Sequence, residues 1–271
     1  MQATARLFGI MLCALGAAAC GGDGGDGSGG TAGSGGTAGS GGSGGSGGTG
    51  GTGGGGTSTV TGVVYSWEDS EVDITVAGVT VEVFGESISA TTDANGRFTL
   101  QNVPNGDVFF TTMANGYWGL VDYYLVPQET EGRDVWLNVI TDAEIARWEG
   151  ILERPISASD GAVDILYYEG AEGGETGAIA PPAGDAPFTF DLWTPVDQTS
   201  VIVERWMCDG SICTFGELLF PSVDPANGPV TATVTGVPGT TTCHIDETPG
   251  TEYPIIAKSL TIVYAWCEPA Q

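Results

Sequence analysis

Thr91-Thr92-Asp93-Ala94-Asn95-Gly96-Arg97-Phe98-Thr99-Leu100 reads as two β segments closing on a turn. Asp93 can accept hydrogen bonds from the backbone that follows it, and Gly96 can take a positive φ. A second turn, Asn102-Val103-Pro104-Asn105-Gly106, follows at once. Outward from this point, segments rich in Val, Thr, Ile, Phe and Tyr alternate with Gly, Pro, Asn and Asp at short intervals, the pattern of antiparallel β structure. Strands are predicted at Val60–Tyr65, Val72–Phe84, Ser87–Thr92, Arg97–Asn102, Asp107–Met113, Tyr117–Val126 and Asp134–Val139. One helix is predicted. Thr141-Asp142-Ala143-Glu144 is a capping box with Ile140 and Ile145 placed as a hydrophobic staple, so the helix runs to about Trp148 and stops near Gly150.

Gly78-Val79-Thr80-Val81-Glu82-Val83, then Thr92 to Leu100, then Asn102 to Gly106 resemble the carboxypeptidase regulatory-like domain. The resemblance covers about residues 58–138. It implies a transthyretin-like β-sandwich serving as an accessory module, with no shared catalytic residues. The zinc motif of the metallocarboxypeptidases is not in the sequence.

The second half reads as a diverged copy. Gly96, Phe98, Leu100 and Val103 recur at Gly216, Leu218, Phe220 and Val223, and Val81 and Val83 at Val201 and Val203, with one constant offset. Asn105-Gly106 recurs as Asn227-Gly228, and Gly62-Val63-Val64 is matched to Gly161-Ala162-Val163. An unrelated second β domain, or one larger sandwich, is the competing reading. The expected fold is therefore all-β: tandem transthyretin-like or immunoglobulin-like sandwiches joined by one short helix, after a disordered Gly-rich linker. The expected divisions are 1–19 leader, 20–57 linker, 58–139 first sandwich, 140–150 helix and 151–271 second sandwich.

The N-terminus sets the compartment. Met1 to Cys20 has a basic residue, Arg6, then a short apolar run from Leu7 to Leu15, then Gly16-Ala17-Ala18-Ala19. That is the layout of a secretory leader, and the run is too short to span a bilayer. Cys20 after small residues resembles the bacterial lipobox, although Ala17 stands where Leu is usual. The resemblance implies that Cys20 becomes an acylated mature N-terminus. The competing reading is ordinary cleavage after Ala-x-Ala. Residues 21–57 are almost wholly Gly, Ser, Thr and Ala, a composition that cannot bury apolar surface. As a Gly-rich coil they reach about 35 Å, enough to hold a domain off a membrane. Gly21 carries no acid of the kind that retains lipoproteins at the inner membrane, so the outer membrane is the expected location, facing the periplasm or the surface.

Seven basic residues against 34 acidic give a formal net charge of −27. Such a surface repels nucleic acid and anionic headgroups. The Gly-x-Ser-x-Gly and Gly-x-Gly-x-x-Gly matches inside the linker follow no strand and precede no helix, so they carry no chemistry. Lys258 is the only lysine, which removes a phosphate-binding P-loop. Cys208, Cys213, Cys243 and Cys267 all lie in the second half. An even number in an exported chain points to two disulfides, with a bridge across the Cys208–Cys213 tip and Cys243–Cys267 as the first choice among three pairings. Zinc held by these cysteines and His244 is the alternative, off the usual ligand spacing.

No catalytic set emerges. His244 is the only histidine, and no serine has a nucleophile-elbow context. Two binding readings remain. Along Tyr117–Tyr124, alternation sends Trp118, Asp122 and Tyr124 to one face. That face is either an exposed platform for a polysaccharide or a surface packed on the neighbouring domain. Glu68, Asp69, Glu71 and Asp73 could hold calcium, but without EF-hand spacing, so no cofactor is assigned. The expectation is a non-enzymatic envelope lipoprotein with structural or ligand-binding sandwiches, whose partners are the membrane through its lipid and a polysaccharide or envelope protein. The alternatives are a carbohydrate-binding module, a hydrolase or a calcium-dependent adhesin.

Overall fold

The computed structural model describes residues 56–67, 74–208, 211–246 and 250–270, without the side chains of residues 206, 208 and 211. The leader, Cys20, the linker up to residue 55 and the acids Glu68 to Asp73 lie outside the described residues, and β1 begins at Thr57, inside the expected linker.

The chain forms tandem β-sandwiches. The first is built from β1 (Thr57–Trp67), β2 (Ile74–Thr75), β3 (Thr80–Val83), β4 (Ser89–Thr91), β5 (Arg97–Pro104), β6 (Gly106–Met113), β7 (Tyr117–Val126) and β8 (Val135–Thr141). β1 pairs antiparallel with β5 and parallel with β8. β4, β3, β6 and β7 pair antiparallel in that order to make the facing sheet. Between them lie Val60, Val64, Val81, Phe98, Leu100, Phe110 and Leu137, all buried. The turn that opens the sequence reading is formed by its own residues. Asp93 Oδ1 accepts from the amides of Asn95 at 2.8 Å and Arg97 at 3.0 Å, and Gly96 has φ 72°. Those bonds hold the Asp93 carboxyl below the usual range. The strand expected over Val72–Phe84 is broken in two, because the chain turns at Gly78, where φ is 75°.

Helix α1 (Asp142–Leu152) leads into the second sandwich. Thr141 Oγ1 caps it by accepting from the Glu144 amide at 3.1 Å, and Ile140 and Ile145 are buried together. The Glu144 carboxylate instead accepts from Trp148 Nε1 at 2.7 Å and from Arg147. The helix passes Gly150 and ends at Glu153, which takes the left-handed conformation itself.

The second sandwich comprises β9 (Gly161–Tyr168), β10 (Thr176–Ala180), β11 (Phe188–Asp191), β12 (Thr194–Val196), β13 (Val203–Cys208), β14 (Ser211–Val223), β15 (Thr231–Thr235), β16 (Thr241–Ile245) and β17 (Ser259–Pro269). β9 pairs antiparallel with β14 and parallel with β17, as β1 does with β5 and β8. The two-stranded sheet β10–β15 covers a core of Val163, Ile165, Tyr167, Leu218, Phe220, Tyr253 and Val263.

The likeness of the two frames extends to a defect. Leu100 and Val103 flank a β-bulge against β1, and Phe220 and Val223 flank one against β9. Asn102 and Ser222, at matching places in the two bulges, have φ of 60° and 56°. The register matches Val60 to Val163 and Ser58 to Gly161 through their partners, correcting the match of Gly62 to Gly161. The match of Val81 and Val83 to Val201 and Val203 also fails: β3 pairs with β4 and β6, whereas Val203 begins a strand paired with β14.

The sandwiches are joined by more than the helix. β7 and β17 run parallel at Gly119–Ser259, Leu120–Leu260 and Val121–Thr261, which makes one sheet in the order β12-β11-β14-β9-β17-β7-β6-β3-β4. Gly119 permits this approach. A Cβ there would lie 2.0 Å from the Thr112 carbonyl oxygen and 2.9 Å from Ser259 Oγ.

Candidate functional site

An exposed platform on β7 is not what the structure holds. Trp118 and Asp122 are each 2 % exposed, and Tyr124 is half-buried with its hydroxyl donating to the Trp136 carbonyl at 3.1 Å. β7 is an interior strand with β6 on one side and β17 and β8 on the other. Its even-numbered face looks into the junction, where Trp118 and Leu120 pack with Ile140, Ile145 and Leu260. Asp122 accepts from the Tyr264 hydroxyl at 3.0 Å.

The cysteines are also placed. Cys243 and Cys267 stand opposite each other on β16 and β17 and are joined as a disulfide. Cys213 is disulfide-bonded and buried; the side chain of Cys208 lies outside the described residues. Glu175 comes close to Cys243 and Cys267, but those sulfurs are bonded to each other and cannot serve as thiolate ligands. Its carboxylate is taken up by the amides of Glu172 and Gly173 and by Thr241 Oγ1. The zinc reading therefore fails at these sulfurs. His244 stands exposed opposite Trp266.

The unusual chemistry lies elsewhere on the same sheet. Glu217 on β14 pairs in register with Leu166 on β9, and Leu219 with Asp164. Glu217 and Asp164 are thus diagonal neighbours on one face. They are 4 % and 1 % exposed. Among the described residues, neither Asp164 oxygen has a hydrogen-bond partner, and neither has Glu217 Oε1. Burial opposes both charges, and the Asp164 charge further opposes that of Glu217. Asp164 is pushed up to about 7, and Glu217 is held well above the carboxylate range. Tyr168, beside them, stacks on Tyr264 and leans on Trp266. Burial, then Glu217, raise its hydroxyl well above the usual range.

Glu217 also lines a hollow that opens at the surface. Its walls are Phe190, Trp193, Ile202 and Phe215, with Glu204 and Gly216 completing them. Phe215 and Glu217 share one face of β14, while Phe190 and Trp193 come from the β11–β12 hairpin. Glu204 accepts from the Leu192 amide at 2.9 Å, and burial raises its carboxyl. The hollow measures about 240 Å³ counting its open mouth, and leaves about 10 Å³ of room for the centre of a water-sized body. Asp164 does not line it. The sequence did carry a signal for this site: Asp164 sits alone in Gly161–Tyr168 and Glu217 alone in Cys213–Phe220, two otherwise uncharged, largely apolar strands.

No family model and no curated protein matches the chain. Among solved structures, one chain of a type II cohesin–X-dockerin complex from Acetivibrio cellulolyticus is 24 % identical. The match covers 35 % of this chain and 70 % of that one, at a TM-score of 0.25. A score that low transfers nothing about function.

Proposed function

We propose that this protein is an envelope lipoprotein, tethered through Cys20 and its Gly-rich leash, whose paired sandwiches act as a non-catalytic binding module. The leader and the linker support the tether. The observation that carries the binding reading is Glu217: a buried carboxylate with an unpartnered oxygen, at a hollow walled by aromatic rings. A buried polar atom without a partner costs about 1–3 kcal/mol, and a polar ligand group would supply the partner. The surrounding sheet is continuous, so the site sits on rigid elements.

A hydrolase is the second reading, because Glu204 and Glu217 both face the hollow and burial raises both. One experiment tests the two. The mature chain, residues 20–271, is screened for binding to glycans, amines and peptides, and for turnover of ester, peptide and glycoside substrates. Saturable binding that is lost when Ile202→Trp fills the hollow, with no turnover, supports the module. Turnover that survives purification and disappears in Glu204→Gln supports the hydrolase instead.

A further inference from the structure

We propose that the hollow at Glu217 receives a primary alkylammonium group, its head on the Glu217 carboxylate and its stem against Phe190, Trp193 and Phe215. The inference rests on the binding-module reading and names its ligand.

Three observations converge on this class. The first is charge. Two carboxyl groups, Glu204 and Glu217, line the hollow, in a chain of net charge −27 that draws cations toward it. The second is the wall. Three aromatic residues beside a carboxylate favour an organic cation, because ring faces are negative and the stem is apolar. Calcium would demand six to eight oxygens, whereas this lining offers two carboxylates, one of them already accepting from Leu192. The third is size. The hollow leaves about 10 Å³ for the centre of a water-sized body, close to what one water needs, so a small head seats within it and the stem lies in the open mouth. An ammonium head is of that size, and a trimethylammonium head is not.

The site has a built-in proton exchange. Asp164 and Tyr168 from β9 and Glu204 from β13 face Glu217, with Asp191 from β11 behind Glu204. Burial first, and then the acids Asp164 and Glu204, hold the Glu217 carboxyl well above the usual carboxylate range. An ammonium favours the ionised carboxylate, so its binding releases the Glu217 proton to solvent and strengthens as pH rises, for as long as the amine stays charged.

The test is a nuclear magnetic resonance titration of the mature chain with butylammonium chloride at pH 8. Tetramethylammonium chloride and potassium chloride are run at the same ionic strength. Butylammonium is expected to give saturable shifts at Trp193, Phe215 and Gly216, and the other two salts none. Glu217→Gln is expected to weaken binding at least about ten-fold. Should that variant fail to fold, Trp193→Leu changes only a half-buried wall and is expected to weaken binding about three-fold. Identical responses to all three salts overturn the proposal, as does affinity unchanged in both variants. An acetylated Gly-Lys-Gly amide presents the same head and stem. Much tighter binding of that peptide assigns the site to a partner's lysine, and equal affinity assigns it to a free amine; both support the ammonium class. A glycan that binds at these residues while butylammonium does not overturns the class but leaves the binding module standing. If no ligand of any kind binds, both readings fall.

Discussion

Replacing Asp164 by Asn removes a buried charge with little change of shape. The folded chain holds Asp164 at about 7 against an ordinary 3.8. Below the lower value the group is protonated in both states, and above the higher value it is ionised in both. Between them the folded state binds the extra proton, so stability falls as pH rises. Three pH units at about 1.4 kcal/mol each amount to about 4 kcal/mol lost between pH 4 and pH 7. Asp164→Asn should abolish most of that slope. It should flatten the curve further, because Glu217 loses its charged neighbour. The new amide also needs partners in a buried place, a cost of about 1–3 kcal/mol. That cost does not vary with pH, so the quantity to compare is the difference between pH 8 and pH 4. Asp93 and Asp134, whose pKa values are lowered, tilt stability the opposite way, equally in both proteins. Urea unfolding of the mature chain from pH 4 to pH 8, followed by tryptophan fluorescence, measures the effect. Relative to wild type, the variant should gain about 4 kcal/mol at pH 8 over pH 4. Parallel curves for the two proteins would refute the account of a buried, unpartnered carboxylate.

Four further outcomes are expected. Labelling with a radioactive fatty acid in the native host should mark the wild type and not Cys20→Ala; equal labelling sinks the tether. Trp118→Ala should cost about 3–5 kcal/mol, read as a large drop in melting temperature, because the ring is core; a drop near zero would restore the exposed platform. Cys267→Ser opens the loop closed with Cys243, 24 residues away in sequence, and should cost about 3–4 kcal/mol; unoxidised thiols in the denatured wild type would contradict the disulfides. Gly119→Ala should destabilise the junction by about 1–3 kcal/mol, detected as faster proteolysis around β7 and β17; wild-type resistance would show that the contact with Thr112 yields freely.

Much of the first sandwich was legible because its signals are local. Asp93 and Gly96 fold their own turn, and Thr141 caps the helix with bonds only three residues long. The repeat was legible through the apolar positions of β5 and β14, which face the cores of their own sandwiches. The role of Trp118 and Asp122 was not, because alternation separates two faces without saying what covers the second. That cover arrives from Leu260 and Tyr264, more than a hundred residues later. The lone acids of β9 and β14 could be read, but the aromatic walls of the hollow could not, for the same reason. Phe190 and Trp193 meet Glu217 only through the pairing of β11 with β14.

The repeated frame explains how two acids came to share a buried face. Counting from the matched bulges, Glu217 stands where Arg97 stands in the first sandwich, and Asp164 where Thr61 stands. In the first copy this outer face is solvated: Arg97, Thr61 and Thr99 are exposed, and Asp134 accepts from Thr61 at 2.8 Å and from Arg97 at 2.8 Å. Polar residues cost nothing there. In the second copy helix α1, the β11–β12 hairpin and the neighbouring sandwich cover the equivalent face, so Leu219 replaces the exposed Thr99 and is buried. Apolar substitution should have run across the whole face, since an unpaired carboxylate in such a place is destabilising. It stopped at Asp164 and Glu217. Glu217 lines an opening walled by aromatic rings, and Asp164 is its diagonal neighbour on the same face. Stability gives no reason to keep unpartnered carboxyl groups at those positions, whereas the ligand proposed for Glu217 would supply one.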